Sequence, residues 1–112
     1  MHSNQEGLNL VLMLSHETGL AVAEFFAKRK NENFVAVYFE EQGEYSEDVI
    51  KILGVDTDRV FYGKEISFNS KHIDWLRDKK VDFIITVYWP WLLDKEYLAV
   101  IKDSLNFHPA LL

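Results

Sequence analysis

The chain has 112 residues, of which 48% are hydrophobic and 27% charged, and it contains no cysteine. This length suits one small domain or part of a larger one, and the absence of cysteine excludes a disulfide framework and a thiolate metal site. The formal net charge of −6 argues against broad nucleic-acid binding, which needs clustered Lys and Arg. No apolar run reaches the roughly 20 residues of a membrane span, and residues 1–7 lack the hydrophobic stretch of a signal peptide. We therefore expect a cytoplasmic protein that does not bind membranes.

In the first half of the chain, apolar runs alternate with amphipathic stretches. Residues 8–14 are almost continuously apolar, which predicts a strand covered on both faces. Residues 17–30 carry apolar side chains at helical spacing, and residues 34–39 are rich in β-branched and aromatic side chains, so we expect a helix and then a second strand. A short helix is predicted from Ser46 onwards, ended by Gly54.

The second half continues the alternation. A short strand over 59–62 is predicted to precede a helix that is capped by Asn69 or Ser70 and runs to about residue 80. On that helix we expect Ile73 and Leu76 to be buried and His72 to lie on the solvated face. The remaining predicted elements are a buried strand over 81–88 with Asp82 fixing its start, a helix over 94–103 with Tyr97, Leu98 and Ile101 inward, and a short strand over 105–108.

This order of elements indicates βαβ units and hence a parallel sheet with right-handed crossovers. We predict an α/β fold, a Rossmann-like open parallel sheet with helices on both faces. Ligands of such sheets bind beyond the carboxyl ends of the strands, so the segments that follow the predicted strands are the candidate sites. Of these, Glu40 and Glu41 after the second strand are interpreted as a solvated loop, with contact to a ribose as the alternative.

Asn106 and His108 are two residues apart on a predicted strand, so their side chains point the same way. A carboxamide N–H can hold a developing oxyanion, and an imidazole can move a proton or stabilise charge. Together these groups suit acyl-group transfer. The alternative is a polar strand terminus at which both side chains bond to loop backbone.

A second candidate is the aromatic turn that follows the predicted strand at 81–88. It reads Tyr88-Trp89-Pro90-Trp91-Leu92-Leu93. Its flat rings are suited to line a slot for a planar heterocycle. The alternative is a hydrophobic plug that covers the end of the sheet.

The first strand-to-helix turn, Ser15-His16-Glu17-Thr18-Gly19, is a weaker candidate. Backbone N–H groups at a helix start can bind phosphate, so Ser15, His16 and Gly19 are possible substrate contacts. A single glycine does not make a dinucleotide-binding loop, however, and Glu17 would oppose an anion. The alternative is an ordinary capped turn. His2 and His72 have no companions at ligand spacing, so no metal site is expected.

Residues 81–112 resemble the folate-dependent formyltransferase family, which includes glycinamide ribonucleotide transformylase, methionyl-tRNA formyltransferase, 10-formyltetrahydrofolate hydrolase and nucleotide-sugar N-formyltransferases. The resemblance is strongest in Asn106-Phe107-His108-Pro109-Ala110-Leu111-Leu112, which is similar to the family's Asn-aliphatic-His-Pro-small-Leu-Leu segment. The preceding strand, aromatic turn and helix follow the family's order. The N-terminal half matches in its order of elements and only loosely in its residues.

The resemblance implies a role for each matching position. Asn106 would bind the formyl oxygen of the tetrahedral intermediate, and His108 would assist proton movement. Part of the pterin-binding wall would be formed by Tyr88, Trp89, Pro90, Trp91 and Leu92. The formyl donor would be 10-formyltetrahydrofolate, and the acceptor would be a small amine, either a nucleotide-linked amino sugar or a ribonucleotide. No metal would be needed.

The chain also departs from the family's pattern. It ends at Leu112, before the family's Pro and Gly-containing turn and its downstream catalytic Asp, and its first strand-to-helix turn lacks the several glycines of the purine-pathway members. We therefore expect the N-terminal part of a formyltransferase catalytic domain, inactive alone because catalytic groups act as a unit. The aromatic turn and the Asn-Phe-His-Pro form favour the sugar formyltransferases, and the acidic balance weakens the transfer-RNA alternative.

A function of another class also fits the sequence. The chain can be a non-catalytic α/β binding module or a vestigial formyltransferase fragment that keeps the fold. In either case a truncated sheet would expose an edge strand, and an exposed edge favours self-association.

Overall fold

The described residues form a parallel β-sheet. The computed structural model describes residues 7–15, 18–29 and 32–107. The strands are β1 (Asn9–Leu14), β2 (Asn33–Phe39), β3 (Val60–Tyr62), β4 (Val81–Val87) and β5 (Ile101–Phe107). Their order across the sheet is β3-β2-β1-β4-β5, and every neighbouring pair is parallel. The prediction of a Rossmann-like open sheet is confirmed.

Helices cover both faces of this sheet. They are α1 (Thr18–Ala27), α2 (Glu44–Leu53), α3 (Ser70–Arg77) and the short α4 (Lys95–Leu98). Side chains of β1 alternate between the faces, as the pleat of a strand requires. Leu12 and Leu14 join the apolar cluster under α1 and α2, whereas Val11 and Met13 join the cluster under α3 and α4. None of the helices in the described ranges has the length and apolar character needed to cross a membrane.

Two helix ends follow the sequence signals closely. α2 ends at Gly54, which adopts a left-handed backbone with φ 69°, a conformation that glycine takes without the steric cost of a Cβ. The Asn69 side chain accepts a hydrogen bond from the backbone N–H of His72 at 2.9 Å, so Asn69 is the N-cap of α3. α2 begins two residues before the predicted Ser46, because Gly43 is the cap and Ser46 Oγ accepts the Gly43 N–H at 2.9 Å.

The helix predicted over 94–103 is wrong in its second half. α4 ends at Leu98, and residues from Ile101 onwards form β5, which pairs with β4 from Val81 opposite Ile101 to Val87 opposite Phe107. Ile101 is buried as predicted, but in a strand, and Leu98 is exposed. The backbone hydrogen bonds to β4 outweigh a helical spacing that extends over fewer than three turns.

The prediction for His72 is also wrong. The residue is 7% exposed, and its Nε2 contacts the Tyr38 hydroxyl. Its ring stacks on Trp75 with centroids 5.3 Å apart and meets the Phe61 ring at 4.4 Å. Burial lowers the pKa of His72 to about 4. The buried stripe of α3 is wide enough to include position 72 beside Ile73 and Leu76.

Asp82 fixes the opposite, amino edge of the sheet, as predicted. Its Oδ2 accepts the backbone N–H of Asn9 at 2.9 Å, and its Oδ1 lies 3.2 Å from Lys102 Nζ. The hydrogen bond from Asn9, with help from Lys102, lowers the pKa of the Asp82 carboxyl. One carboxylate therefore joins the starts of β1, β4 and β5.

Candidate functional site

The chain reverses its direction across the sheet between β1 and β4. From β1 the chain passes to β2 and β3 on one side, and then returns to place β4 and β5 on the other. Ser15 extends this central pairing beyond β1, since its N–H donates to the Val87 carbonyl at 3.0 Å. Ligands of open α/β sheets bind in the crevice at such a switch point. The predicted segments at 15–19 and 88–93 therefore start side by side.

Tyr88 begins the aromatic turn with an unusual backbone. Its φ is 58°, in the left-handed region, which a bulky L-residue occupies at a cost of order 1–3 kcal/mol. Its half-buried side chain packs against the cluster under α1 and α2. Strain of this kind persists where the surrounding structure enforces it, and it is concentrated at binding and catalytic sites. Lys80, just before β4 at the amino edge, has a similar φ of 54°, so the backbone of Tyr88 supports a candidate site at the end of β4 only together with the position of this residue at the switch point.

The rest of the turn packs onto the opposite face of the sheet. Trp89 is 8% exposed, and its ring meets Trp91 edge to face with centroids 5.1 Å apart. Trp91 and Leu93 pack against the cluster under α3 and α4. Pro90 is exposed and Leu92 is 88% exposed. Trp89 thus closes the end of the core. Pro90 and Leu92 are the most exposed residues of the turn, and Tyr88 and Trp91 are half-buried, so a ligand can still contact them.

Asn106 lies on the strand next to this turn. Its backbone pairs with Thr86, and Phe107 pairs with Val87 at the end of β4. Paired strands lie about 4.8 Å apart, so the backbone of Asn106 and the start of the 88–93 turn share one stretch of the carboxyl edge. The side chain of Asn106, together with His108 and His16, lies outside the described residues.

Gly19 has a packing role in the first turn of α1. A Cβ at this position would meet the Tyr45 hydroxyl and would lie 2.9 Å from the Leu14 Cβ. The lack of a side chain at Gly19 therefore lets Tyr45 of α2 approach the end of β1. This close contact explains why position 19 is a glycine, with no need for a phosphate bound at the turn.

Sequence reasoning missed a cavity at the same edge. It has a volume of about 290 Å³ and lies between the ends of β1 and β2 and the start of α2. Ser15, Tyr45 and the carboxylates Glu40, Glu41 and Glu44 line it. Glu41 is exposed, as expected of a solvated loop, whereas Glu40 is half-buried in the cavity wall. The position of this loop directly after a buried strand indicates the carboxyl edge of the sheet but not the cavity itself.

The site as a whole combines a strained aromatic turn, the end of β5 and an acidic cavity along one edge of the sheet. Within the described ranges, no group of three or more histidine or acidic side chains is arranged to hold a metal ion. No protein-family model matches the chain, and no curated protein matches its sequence. The family resemblance therefore remains a prediction that rests on the motif at 106–112.

Proposed function

We propose that the carboxyl edge of β4 and β5 is a site for formyl transfer from 10-formyltetrahydrofolate to the amine of a small acceptor. The observation that carries the proposal is the pairing of Asn106 with Thr86. This pairing brings the backbone of Asn106, to which we assign oxyanion binding, close to the 88–93 turn, to which we assign pterin binding. The strained backbone of Tyr88 supports a site at the same point.

In the proposed reaction, Asn106 and His108 each assist one step between the two substrates. The acceptor nitrogen attacks the formyl carbon, and a C–N bond forms as the carbonyl electron pair moves to oxygen. The Asn106 carboxamide donates a hydrogen bond to that oxyanion. His108 takes the proton from the attacking nitrogen and delivers it to N10 of the folate as the C–N10 bond breaks. The products are an N-formylated acceptor and tetrahydrofolate.

The acceptor class follows from charge. The chain carries a net charge of −6, and Glu40, Glu41 and Glu44 lie beside the switch point. Such a surface opposes a long polyanion, which disfavours transfer RNA as the acceptor carrier. A nucleotide-linked amino sugar or a ribonucleotide carries few charges, so we propose an acceptor of this size.

Calorimetric titration of the chain with 5-formyltetrahydrofolate, a stable reduced folate, tests the proposal. We expect saturable binding at one site per chain. Leu92→Ser should weaken it about ten- to hundredfold, since the loss of a buried leucine contact is worth about 1.5–3 kcal/mol. Leu8→Ser is the matched control, because Leu8 is also exposed but precedes β1 at the amino edge. Equal affinities of the Leu92→Ser variant and the native chain would contradict this placement of the folate.

A second candidate function is a non-catalytic α/β module that has kept the fold of a formyltransferase. The burial of Trp89 against the core favours it, because a hydrophobic plug requires no ligand. The same titration separates the two. If the natively folded chain gives no heat of binding with the reduced folate at millimolar concentration, the non-catalytic module is the better description.

A further inference from the structure

The cavity between β1, β2 and α2 contains polar groups that the proposed chemistry does not use. Ser15 is 2% exposed, and its Oγ has no hydrogen-bond partner among the described residues. The Tyr45 hydroxyl is likewise buried and without a partner in that part of the chain. A buried hydroxyl left unpaired is unfavourable because it has lost its hydrogen bonds to water. Both groups can donate and accept, so a bound ligand with hydroxyl groups can satisfy both.

The charge of the cavity defines the ligand further. Glu40 is half-buried, whereas Glu41 and Glu44 are exposed, and none of the described residues that line the cavity is Lys, Arg or His. Burial, together with the negative charge of Glu40, raises the pKa of Tyr45 to about 12, so this hydroxyl stays neutral. Carboxylates only accept hydrogen bonds. The wall therefore selects a group rich in donors and opposes an anion.

The size of the cavity suits a small ligand and is ample for one ring. Its volume of about 290 Å³ is at the lower limit of the roughly 300–1,000 Å³ of ordinary small-molecule pockets. A carboxylate has two oxygens and can accept from two neighbouring hydroxyls at once. Dinucleotide-binding Rossmann folds use an acidic residue to accept from a ribose 2′-hydroxyl. Glu40 directly follows β2.

We propose that this cavity binds the vicinal diol of a single sugar ring, with Glu40 accepting from the two hydroxyls and Ser15 and Tyr45 bonding to the ring's other oxygens. The larger ligand that carries this ring, a nucleotide-linked acceptor, rests on the proposed function. The end of β5 is two to three strand spacings away, roughly 10–15 Å. An extended nucleotide-linked sugar can span this distance, with its amine at Asn106 and its diol in the cavity.

An NMR titration of the isotope-labelled chain with methyl β-D-ribofuranoside tests the diol site. We expect saturable shifts of the backbone amides of Ser15 and Tyr45, and at least tenfold weaker binding of the 2,3-dideoxy ring. Equal binding of the two rings, or shifts only at other positions, would overturn the proposal. Methylammonium chloride is the third probe. If it shifts these amides and the ribofuranoside does not, the cavity is an ammonium site and the diol assignment is wrong.

Substitutions in the cavity give a second test. Glu40→Gln keeps the shape of the side chain and removes its charge, and Tyr45→Phe removes only a hydroxyl. Each should weaken ribofuranoside binding about five- to tenfold, by the loss of one or two hydrogen bonds. Glu47→Gln is the control, because Glu47 is exposed on α2 and does not line the cavity. If all three variants bind the ring as the native chain does, the ring is not in this cavity.

The two proposals fail separately. Ribofuranoside binding without binding of a reduced folate would contradict formyl transfer and leave the diol site intact. Folate binding without any shift at Ser15 or Tyr45 on addition of the ribofuranoside would contradict the diol site and leave formyl transfer intact.

Discussion

His72 is a neutral histidine enclosed by aromatic rings. Phe61, Trp75 and Tyr97 surround it, and the Tyr38 hydroxyl contacts its Nε2. A charged imidazole in this position would lose most of its hydration. Tyr38, Phe61 and Tyr97 come from β2, β3 and α4, and only Trp75 lies on α3 with His72. The position of His72 on α3 alone therefore did not predict its burial.

The first prediction concerns acid stability. The pKa of His72 is about 4 in the folded chain, compared with 6.5 for an unperturbed histidine. Between these values the unfolded chain takes up a proton that the folded chain does not. Stability should therefore be complete above pH 6.5 and fall as the pH drops towards 4, by at most about 1.4 kcal/mol per pH unit. Urea unfolding at pH 7, 6, 5 and 4.5 measures this slope.

His72→Gln is the comparison, because a carboxamide can accept from the Tyr38 hydroxyl and does not titrate. This variant should be less stable than the native chain at pH 7, but the difference should narrow as the pH falls. Parallel pH profiles for the two proteins would contradict the assignment of a low pKa to His72.

The second prediction concerns Gly19. Gly19→Ala places a methyl group against the Tyr45 hydroxyl and the Leu14 Cβ. We expect a loss of about 1–3 kcal/mol in the free energy of unfolding, which is typical of overpacking in a tight contact. Gly43→Ala is the control, because a Cβ there has no neighbour within 4 Å, and it should cost less than about 1 kcal/mol. Chemical denaturation measures both, and equal losses would argue against a close approach at Gly19.

At the scale of elements, helix ends that depend on one residue could be predicted from the sequence, whereas a boundary that depends on strand pairing could not. The caps Asn69 and Gly54 could be predicted, because each depends on one residue's own chemistry. The boundary between α4 and β5 could not, because residues 101–103 become strand only through pairing with β4. The same pairing extends β5 well before the predicted residue 105. Helical spacing in a short segment is weak evidence when a sheet edge is available.

The third prediction tests the cap of α3. Asn69→Ala removes the acceptor of the His72 N–H and should cost about 1 kcal/mol of unfolding free energy. Ser70→Ala, one residue further along and exposed, should change stability by less than about 0.5 kcal/mol. Thermal unfolding of the two variants compares them directly. A larger loss for Ser70→Ala would mean that the helix begins elsewhere.

At the scale of the whole molecule, the fold could be predicted and the detailed site only in part. The alternation of apolar runs with amphipathic stretches predicts a parallel sheet, and a parallel sheet predicts a site at its carboxyl edge. That edge is where the 88–93 turn and the end of β5 lie. The cavity could not be predicted, since Ser15, Glu40 and Tyr45 meet only after β1, β2 and α2 have packed. The inward packing of Trp89 depends in the same way on the assembled core.

An amide-shift map of the chain is the decisive test for a reduced folate bound at the carboxyl edge between β4 and β5. Isotope-labelled chain would be titrated with 5-formyltetrahydrofolate, and the shifts of all assigned backbone amides would be followed. We expect the largest saturable shifts at Tyr88, Trp91 and Leu92 and at Asn106. Shifts confined to the amino edge near Asn9 and Asp82, or no saturable shifts in a folded chain, would contradict it.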